Sequence, residues 1–288
     1  MRSAINYLSS LGMIISSDSR PSWMSSIIPS SSDMGTPAAP HLIKPAAGRG
    51  ANMAVLEGTA KSRPLVMGII NATPDSFHKS SREGGIKRAM EMIAEGADWI
   101  DIGGESTRTG AKSNSIEEEL SRVIPLISEI SKHVNVSIDT RNVEVAQRAL
   151  EAGAKMVNDV SGLKDKAMME LVVEAEWHVC IMHMLGEPGT MQNNPQYEDV
   201  ATEVNQFLIT KARELVEMGH SMDKIHLDPG IGFGKTLEHN IKLLQSSEDL
   251  RPYSILWGVS RKSMIGQICD QPDTENRLAG SLAVAAKG

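Results

Sequence analysis

From residue 65 onward, short apolar runs alternate with stretches of helical period. Runs at 65–70, 99–102, 134–138, 156–158, 178–182, 225–227 and 255–257 are rich in Val, Ile, Leu and Met, and each ends in polar or glycine-containing sequence. Each therefore predicts a buried strand. Between the first two, Ile86, Ala89, Met90, Ile93, Ala94 and Ala97 recur at helical spacing, with Gly96 placed as a C-cap. Leu120, Val123, Ile124, Ile127 and Ile130 mark another helix, introduced by Ser115 with Glu118 three residues on, a capping box. Val143, Ala146, Ala149 and Leu150 ahead of Gly153 mark a third, and a last helix runs from about Thr274 to Ala286.

Alternation of this kind builds βαβ units around a parallel sheet. The fold class is α/β, and seven units at this spacing predict a TIM (β/α)8-type barrel carrying seven of its eight units. A doubly wound sheet is disfavoured because no Gly-rich dinucleotide fingerprint follows the first strand. Before residue 60 the pattern lapses into Ser-rich, Pro-containing sequence without period, so 1–60 reads as a disordered extension and 61–288 as the barrel domain. Arg2, Arg20 and Arg49 in a stretch poor in acids leave an organellar transit peptide open beside a cytoplasmic location. A start at Met53 is open as well, with residues 54–58 as a small hairpin arm. No segment of 1–60 reads as a replacement for an eighth strand, so the first and seventh strands are expected to be exposed edges.

Charge narrows the partners. The net charge is −7 and no Lys/Arg block occurs, which argues against nucleic acid and membrane surfaces and leaves small molecules. No apolar run is long enough to span a bilayer. Cys180 and Cys269 stand far apart, which suits a reducing compartment and excludes a sequence-local metal knuckle.

In a parallel sheet, ligands meet the C-terminal strand ends. Those ends carry Asn71, Thr73, Asp75 and Ser76; Asp101 followed by a Gly-rich loop through Thr107 and Arg108; Asp139 with Thr140 and Arg141; Asn158 and Asp159; Met182 and His183; Asp228 through Lys235; and Arg261, Lys262 and Ser263. Singly, each has a plainer account. Asp139, Asn158 or Asp228 could cap a helix or close a turn. Lys262 and Arg108 could be solvated, Met182 is most simply core, and His183 reads as a core histidine because no second His or Cys stands at ligand spacing. Gly234-Lys235-Thr236 is not a phosphate loop, since the leading glycine of that motif would fall on Pro229. Seven such ends on one face are hard to explain separately, and their convergence argues for one active site.

The same segments resemble the dihydropteroate synthase family: residues 71–77, Asp101-Ile102-Gly103-Gly104-Glu105-Ser106-Thr107-Arg108, Ser137-Ile138-Asp139-Thr140, Asn158-Asp159, Met182-His183-Met184, residues 228–235 and residues 260–266, in order from about Leu65 to Gly288. The resemblance implies condensation of 7,8-dihydropterin-6-ylmethyl diphosphate with 4-aminobenzoate by an SN1-like step, with release of pyrophosphate. It implies a pterin pocket of Asp139, Asn158, Met182, Asp228 and Lys262, with Asp139, Lys262 and Asp228 closest to the chemistry. It implies an aminobenzoate site against Phe233 and Lys262, with Thr107, Arg108, Arg261 and Ser263 toward the carboxylate. Mg²⁺ at Asn71, inhibition by sulfonamides and a homodimer through outer helices are implied as well.

Two departures from the family pattern stand out. Thr109 takes the place of a usual Pro, and the eighth strand with its Arg-Val-His-Asp motif does not follow Gly288, so the chain is expected to lack two cationic contacts to pyrophosphate. A non-catalytic pterin-binding remnant is the alternative reading. A pterin-dependent corrinoid methyltransferase is a second, disfavoured because it needs neither residues 71–77 nor residues 260–263.

Overall fold

The predicted strands all form and pair in parallel in chain order: β2 (Leu65–Asn71), β3 (Trp99–Gly103), β4 (Asn135–Asp139), β5 (Met156–Asp159), β6 (His178–Met182), β7 (Ile225–Asp228) and β8 (Ser254–Trp257). They come from a computed structural model that describes residues 53–56, 64–72, 79–105 and 114–286, with 53–56 and 79–81 described in backbone only. The expected disorder of 1–60 thus falls outside the described residues except for four, and so do the 73–77 loop, Thr107, Arg108 and Thr109.

Those four residues correct the expectation of an open barrel. Strand β1 (Met53–Leu56) runs antiparallel between β2 and β8, with Val55 opposite both Val66 and Trp257, and the sheet closes as an eight-stranded ring. The physical reason is the edge itself. Unpaired N–H and C=O groups on β2 and β8 demand partners, and a four-residue extended segment meets both rows without needing a strong pattern of its own. Over 54–56 the arm read at 54–58 pairs antiparallel with β2, and it meets β8 as well; residues 57 and 58 lie outside the described residues.

Helices α1 (Lys79–Ala94), α2 (Ile116–Ile130), α3 (Val143–Glu151), α4 (Lys166–Glu174), α5 (Val200–Glu217), α6 (Leu237–Gln245), α7 (Ser263–Ile268) and α8 (Leu278–Ala285) follow the strands. The Ser115–Glu118 capping box forms as read, and Gly96 and Gly153 take the left-handed conformation (φ +104° and +111°) where α1 and α3 end. The predicted last helix divides into a short 3-10 turn, Thr274–Arg277, and α8.

Strand parity sorts the side chains. Ile70, Ile100, Ile102, Val136, Ile138, Val157, Val179, Ile181, Ile225, Leu227, Ile255 and Trp257 join one cluster with the apolar faces of the helices. Met67, Trp99, Met156, Cys180 and Leu256, with Leu65 and Ile69, form a second, smaller cluster from the alternate positions, which face the barrel interior. The inward positions thus read, from the C-terminal mouth downward, polar residues, then this apolar plug, then a histidine floor.

In that floor His178 Nδ1 lies 3.1 Å from His226 Nε2, the two rings stack at 5.3 Å, and Trp99 meets His178 edge-on. One ring must donate and the other accept, so protonating the acceptor places two donors face to face. Burial pushes both pKa values down, His226 to about 4, with His178 and Asp223 acting on it; Lys224, Asp223, His220 and Lys155 act on His178. Neutral in the fold but protonated near 6.5 when unfolded, His226 contributes stability that is full above its unfolded pKa and is lost as pH falls toward about 4. Urea unfolding should register a loss of about 2 kcal/mol between about pH 7 and pH 5 that is absent in His226→Phe. Equal pH slopes for the two proteins would contradict this account.

Candidate active site at the barrel mouth

The ladder sets the mouth. Asn71 pairs with Gly103, Gly103 with Asp139 and Asp139 with Asn158, while Met182 pairs with Asp228 on the other side. By parity Asp101, Asp139, Asn158, Met182 and Asp228 all face inward above the apolar plug.

Asp228 is 6% exposed, and its environment is built by the turn that follows it. Its Oδ1 accepts from the Gly230 N–H at 2.7 Å, and its backbone carbonyl accepts from the His183 N–H at 3.0 Å, locking the exits of β7 and β6 together. Only glycine fits at 230: φ is +68°, and a Cβ there would stand 1.9 Å from the His183 carbonyl oxygen. Burial raises the Asp228 pKa, opposed by Lys262, the Gly230 N–H and Lys235.

Lys262 approaches from β8. Its Nζ sits 4.2 Å from the Phe233 ring centroid and donates to the Ile231 carbonyl. Asp228 Oδ2 and Lys262 Nζ both close on Gly258, at 3.5 and 3.7 Å from where its Cβ would be, so the missing side chain keeps the space between them open. Burial draws the Lys262 pKa down to about 8, with Asp228 holding it up. The mouth thus offers a carboxylate and an aromatic face from the exit of β7 and an ammonium from the exit of β8.

Opposite lies an acidic wall. Asn158 Nδ2 donates to Asp101 Oδ2 at 3.3 Å, which leaves the Asn158 amide oxygen free to accept. Burial pushes Asp139 well above the usual carboxylate range, and Asp101, Glu119, Asp159 and Glu105 reinforce it by like-charge repulsion. Asp159 is committed elsewhere: it is fully buried and accepts from the Ser161 and Leu163 N–H groups at 2.7 and 3.1 Å, the turn-closing role that any of these strand-end acids could have had.

Other predicted residues divide. Met182 is buried, Phe233 is half-buried against Lys262, and Asn71 is exposed at the rim of β2. Arg261 is 8% exposed, with φ +54°. Its guanidinium donates to Glu275 Oε2 at 3.0 Å and its N–H to Ser281 Oγ at 2.8 Å, so its charge is already paired within the chain. Ser263 is exposed at the first turn of α7. His183 is the core histidine its isolation suggested: its ring is edge-on to Phe207, its Nδ1 faces Lys235 at 3.0 Å, and its pKa falls to about 3 through burial and Lys235. Both cysteines are free, and burial raises the Cys180 thiol.

Sequence reasoning missed the supports. Asn114 and Arg122 both donate to the Gly104 carbonyl, at 2.9 and 3.0 Å, and Arg141 clasps Glu105 bidentately at 3.2 and 3.0 Å. These hold the stem at 104–105, and the partners stand ten to 36 residues apart, beyond any local periodicity. Lys235 stands at the end of the strand exit read from the sequence at 228–235, which assigned it no role. Among the described residues no cluster of His, Cys, Asp and Glu could hold a metal by itself, and no helix is long and apolar enough to cross a membrane.

Residues 67–288 match the family model described as pterin binding enzyme. Dihydropteroate synthase of Escherichia coli K12 is 45% identical over 233 residues, which cover 78% of this chain and 82% of that protein. Among solved structures, Burkholderia cenocepacia dihydropteroate synthase complexed with 7,8-dihydropteroate is 44% identical at a TM-score of 0.68, covering 77% of this chain and 81% of that one. Yersinia pestis dihydropteroate synthase, solved with a sulfonamide drug, is 38% identical at a TM-score of 0.68, covering 76% and 83%. A family match over three quarters of the sequence, close relatives covered over most of their length and the same barrel therefore agree: the chain belongs to the dihydropteroate synthase family of pterin-binding enzymes.

Proposed function

We propose that this chain joins 7,8-dihydropterin-6-ylmethyl diphosphate to 4-aminobenzoate, forming 7,8-dihydropteroate and pyrophosphate. The observation that carries the reading is the juxtaposition of Asp228, Lys262 and Phe233 across the mouth from Asp139 and Asn158. The amino-pyrimidinone edge of a pterin presents donors to Asp228 and the Asn158 oxygen, and Lys262 reaches the acceptors of the ring. A ligand without that edge leaves buried polar groups unpaired, which is the source of specificity.

The acidic wall suits an SN1-like step. When the methylene–oxygen bond to diphosphate breaks, the electron pair leaves with pyrophosphate and positive charge spreads over the pterin ring. Burial, with its acidic neighbours, pushes the Asp139 pKa well up, and a cation forming beside it favours the carboxylate form, so the stabilisation grows toward the transition state. The aromatic amine then attacks the methylene carbon and sheds a proton. A neutral aniline needs positioning more than a base, and the Phe233 face under Lys262 supplies a flat apolar platform.

Mg²⁺ suits this donor set. Asn71 offers one hard oxygen at the rim, and this ion keeps most of its waters and binds through few protein oxygens together with substrate phosphates. Asn71 would hold it, and the ion would supply neutralisation of charge on the leaving diphosphate. Arg261 would meet the 4-aminobenzoate carboxylate by exchanging it for exposed Glu275. Sulfonamides, as bound by the Yersinia pestis relative, would compete at that same position. The free cysteines suit the cytoplasm.

The test is pyrophosphate release from the pterin diphosphate with and without 4-aminobenzoate. Turnover requiring both substrates and abolished by EDTA is expected. Tight binding of the pterin diphosphate without turnover would instead make the chain a pterin-binding protein.

A further inference from the structure

We propose that Lys235 is a positioning residue of the pterin pocket: its ammonium ties the exit of β7 to the exit of β6 and so fixes Asp228, Phe233 and the Ile231 carbonyl where a pterin meets them. This rests on the reading of the mouth as a pterin site. Lys235 is 4% exposed, and its Nζ is ringed by three acceptors: His183 Nδ1 at 3.0 Å, the His183 carbonyl at 3.2 Å and the Phe233 carbonyl at 3.0 Å. An ammonium has three N–H bonds and no acceptor, so all of its capacity is spent on two chain segments 50 residues apart, and a neutral amine would be one donor short.

The geometry around it leaves little freedom. The turn from Gly230 to Gly234 lies so close to the β6 exit that added Cβ atoms would stand 1.9 Å from the His183 oxygen and 2.7 Å from the Leu185 oxygen. Tyr197 Oη donates to the Gly234 carbonyl at 2.9 Å, and Asn240 Oδ1 accepts from the Gly232 N–H at 2.8 Å, so the outer side of the turn is braced by neutral contacts. On the inner side, beyond the His183 N–H bond to the Asp228 carbonyl and the Gly230 N–H bond to Asp228 Oδ1, the side-chain tie between the two exits is Lys235. Lys262 hangs from the carbonyl of Ile231 in the same turn and lies over Phe233, so a shift of the turn moves two substrate-facing groups at once. His183 is drawn in as well: accepting at Nδ1 places its proton on Nε2.

Charge gives the residue a second effect. Burial lowers the Lys235 pKa to about 7, with Asp228 holding it up and Lys262 pressing it down, and reciprocally the Lys235 cation favours the carboxylate form of Asp228 that a pterin needs as acceptor. As pH rises through about 7 the cation is lost, and pterin affinity should fall with it.

Calorimetric titration of the pterin diphosphate into the native chain, Lys235→Met and Lys262→Ala decides the matter. Lys235→Met should weaken binding by about 10- to 100-fold and remove the fall in affinity that begins near neutral pH, leaving only the later fall due to Lys262. If Lys262→Ala weakens binding while Lys235→Met keeps native affinity and pH profile, the positioning role is overturned and the pocket stands. If neither weakens it, the pocket assignment itself fails. Should Lys235→Met not fold, the ¹⁵N spectrum of His183 in the native chain decides: an Nε2–H tautomer supports the proposal, and an Nδ1–H tautomer overturns it.

Discussion

Lys262→Ala is expected to lower kcat/KM for the pterin diphosphate by roughly 10²- to 10³-fold, because it leaves the buried Asp228 carboxyl without the ammonium that most opposes its upward shift. Three losses coincide. Asp228, already pushed upward by burial, loses the cation that most opposes that shift; the Ile231 carbonyl loses its donor; and the Phe233 face loses the ammonium above it. Losing that counter-charge shifts Asp228 toward its acid form, which is a poorer acceptor for a guanidine-like edge, so pterin binding should suffer as well as turnover. In the native chain the same group predicts a basic limb: kcat/KM falls as pH rises through about 8, where Lys262 gives up its proton. Steady-state kinetics on folded Lys262→Ala, with circular dichroism as the folding control, test this, and native kcat/KM in that variant would remove Lys262 from the site.

Val55→Pro should lower stability by about 2–3 kcal/mol, because it deletes one N–H from a strand hydrogen-bonded on both sides and strands its acceptor. For a domain of this size that corresponds to about 5–10 °C in Tm. The wider consequence is at the edges. With β1 unseated, β2 and β8 present open rows of backbone groups, and the variant should associate at concentrations where the native chain does not. Differential scanning calorimetry and light scattering read the two effects, and an unchanged Tm would mean that β1 does not close the ring.

The parallel strands were legible because burial on both faces leaves an apolar run that nothing else in the chain imitates, and their ends were legible because polar residues follow such runs abruptly. The observed β3, for instance, extends the predicted run by the single residue Gly103. Strand β1 was not legible. Its four residues acquire their role from two neighbouring edges, and no side-chain pattern announces that. Arg261 shows the converse: grouped by sequence with Lys262 and Ser263, it turns through a left-handed backbone (φ +54°) into Glu275 and Ser281, contacts that depend on where the chain returns.

By itself the sequence determined the α/β alternation, the face on which function sits and the residue types available there, since these follow from periodicity and from the rule that parallel strands open their ligand sites at their C-terminal ends. Tertiary structure decided which of those residues act together. It set Asp228 and Lys262 on either side of Gly258 and gave Asp159 to a turn. It also surrounded Asp139 with acids and buried Lys235 between two strand exits. The reason is physical: charge state and orientation depend on neighbours brought close by the ladder, and those neighbours lie tens of residues away along the chain.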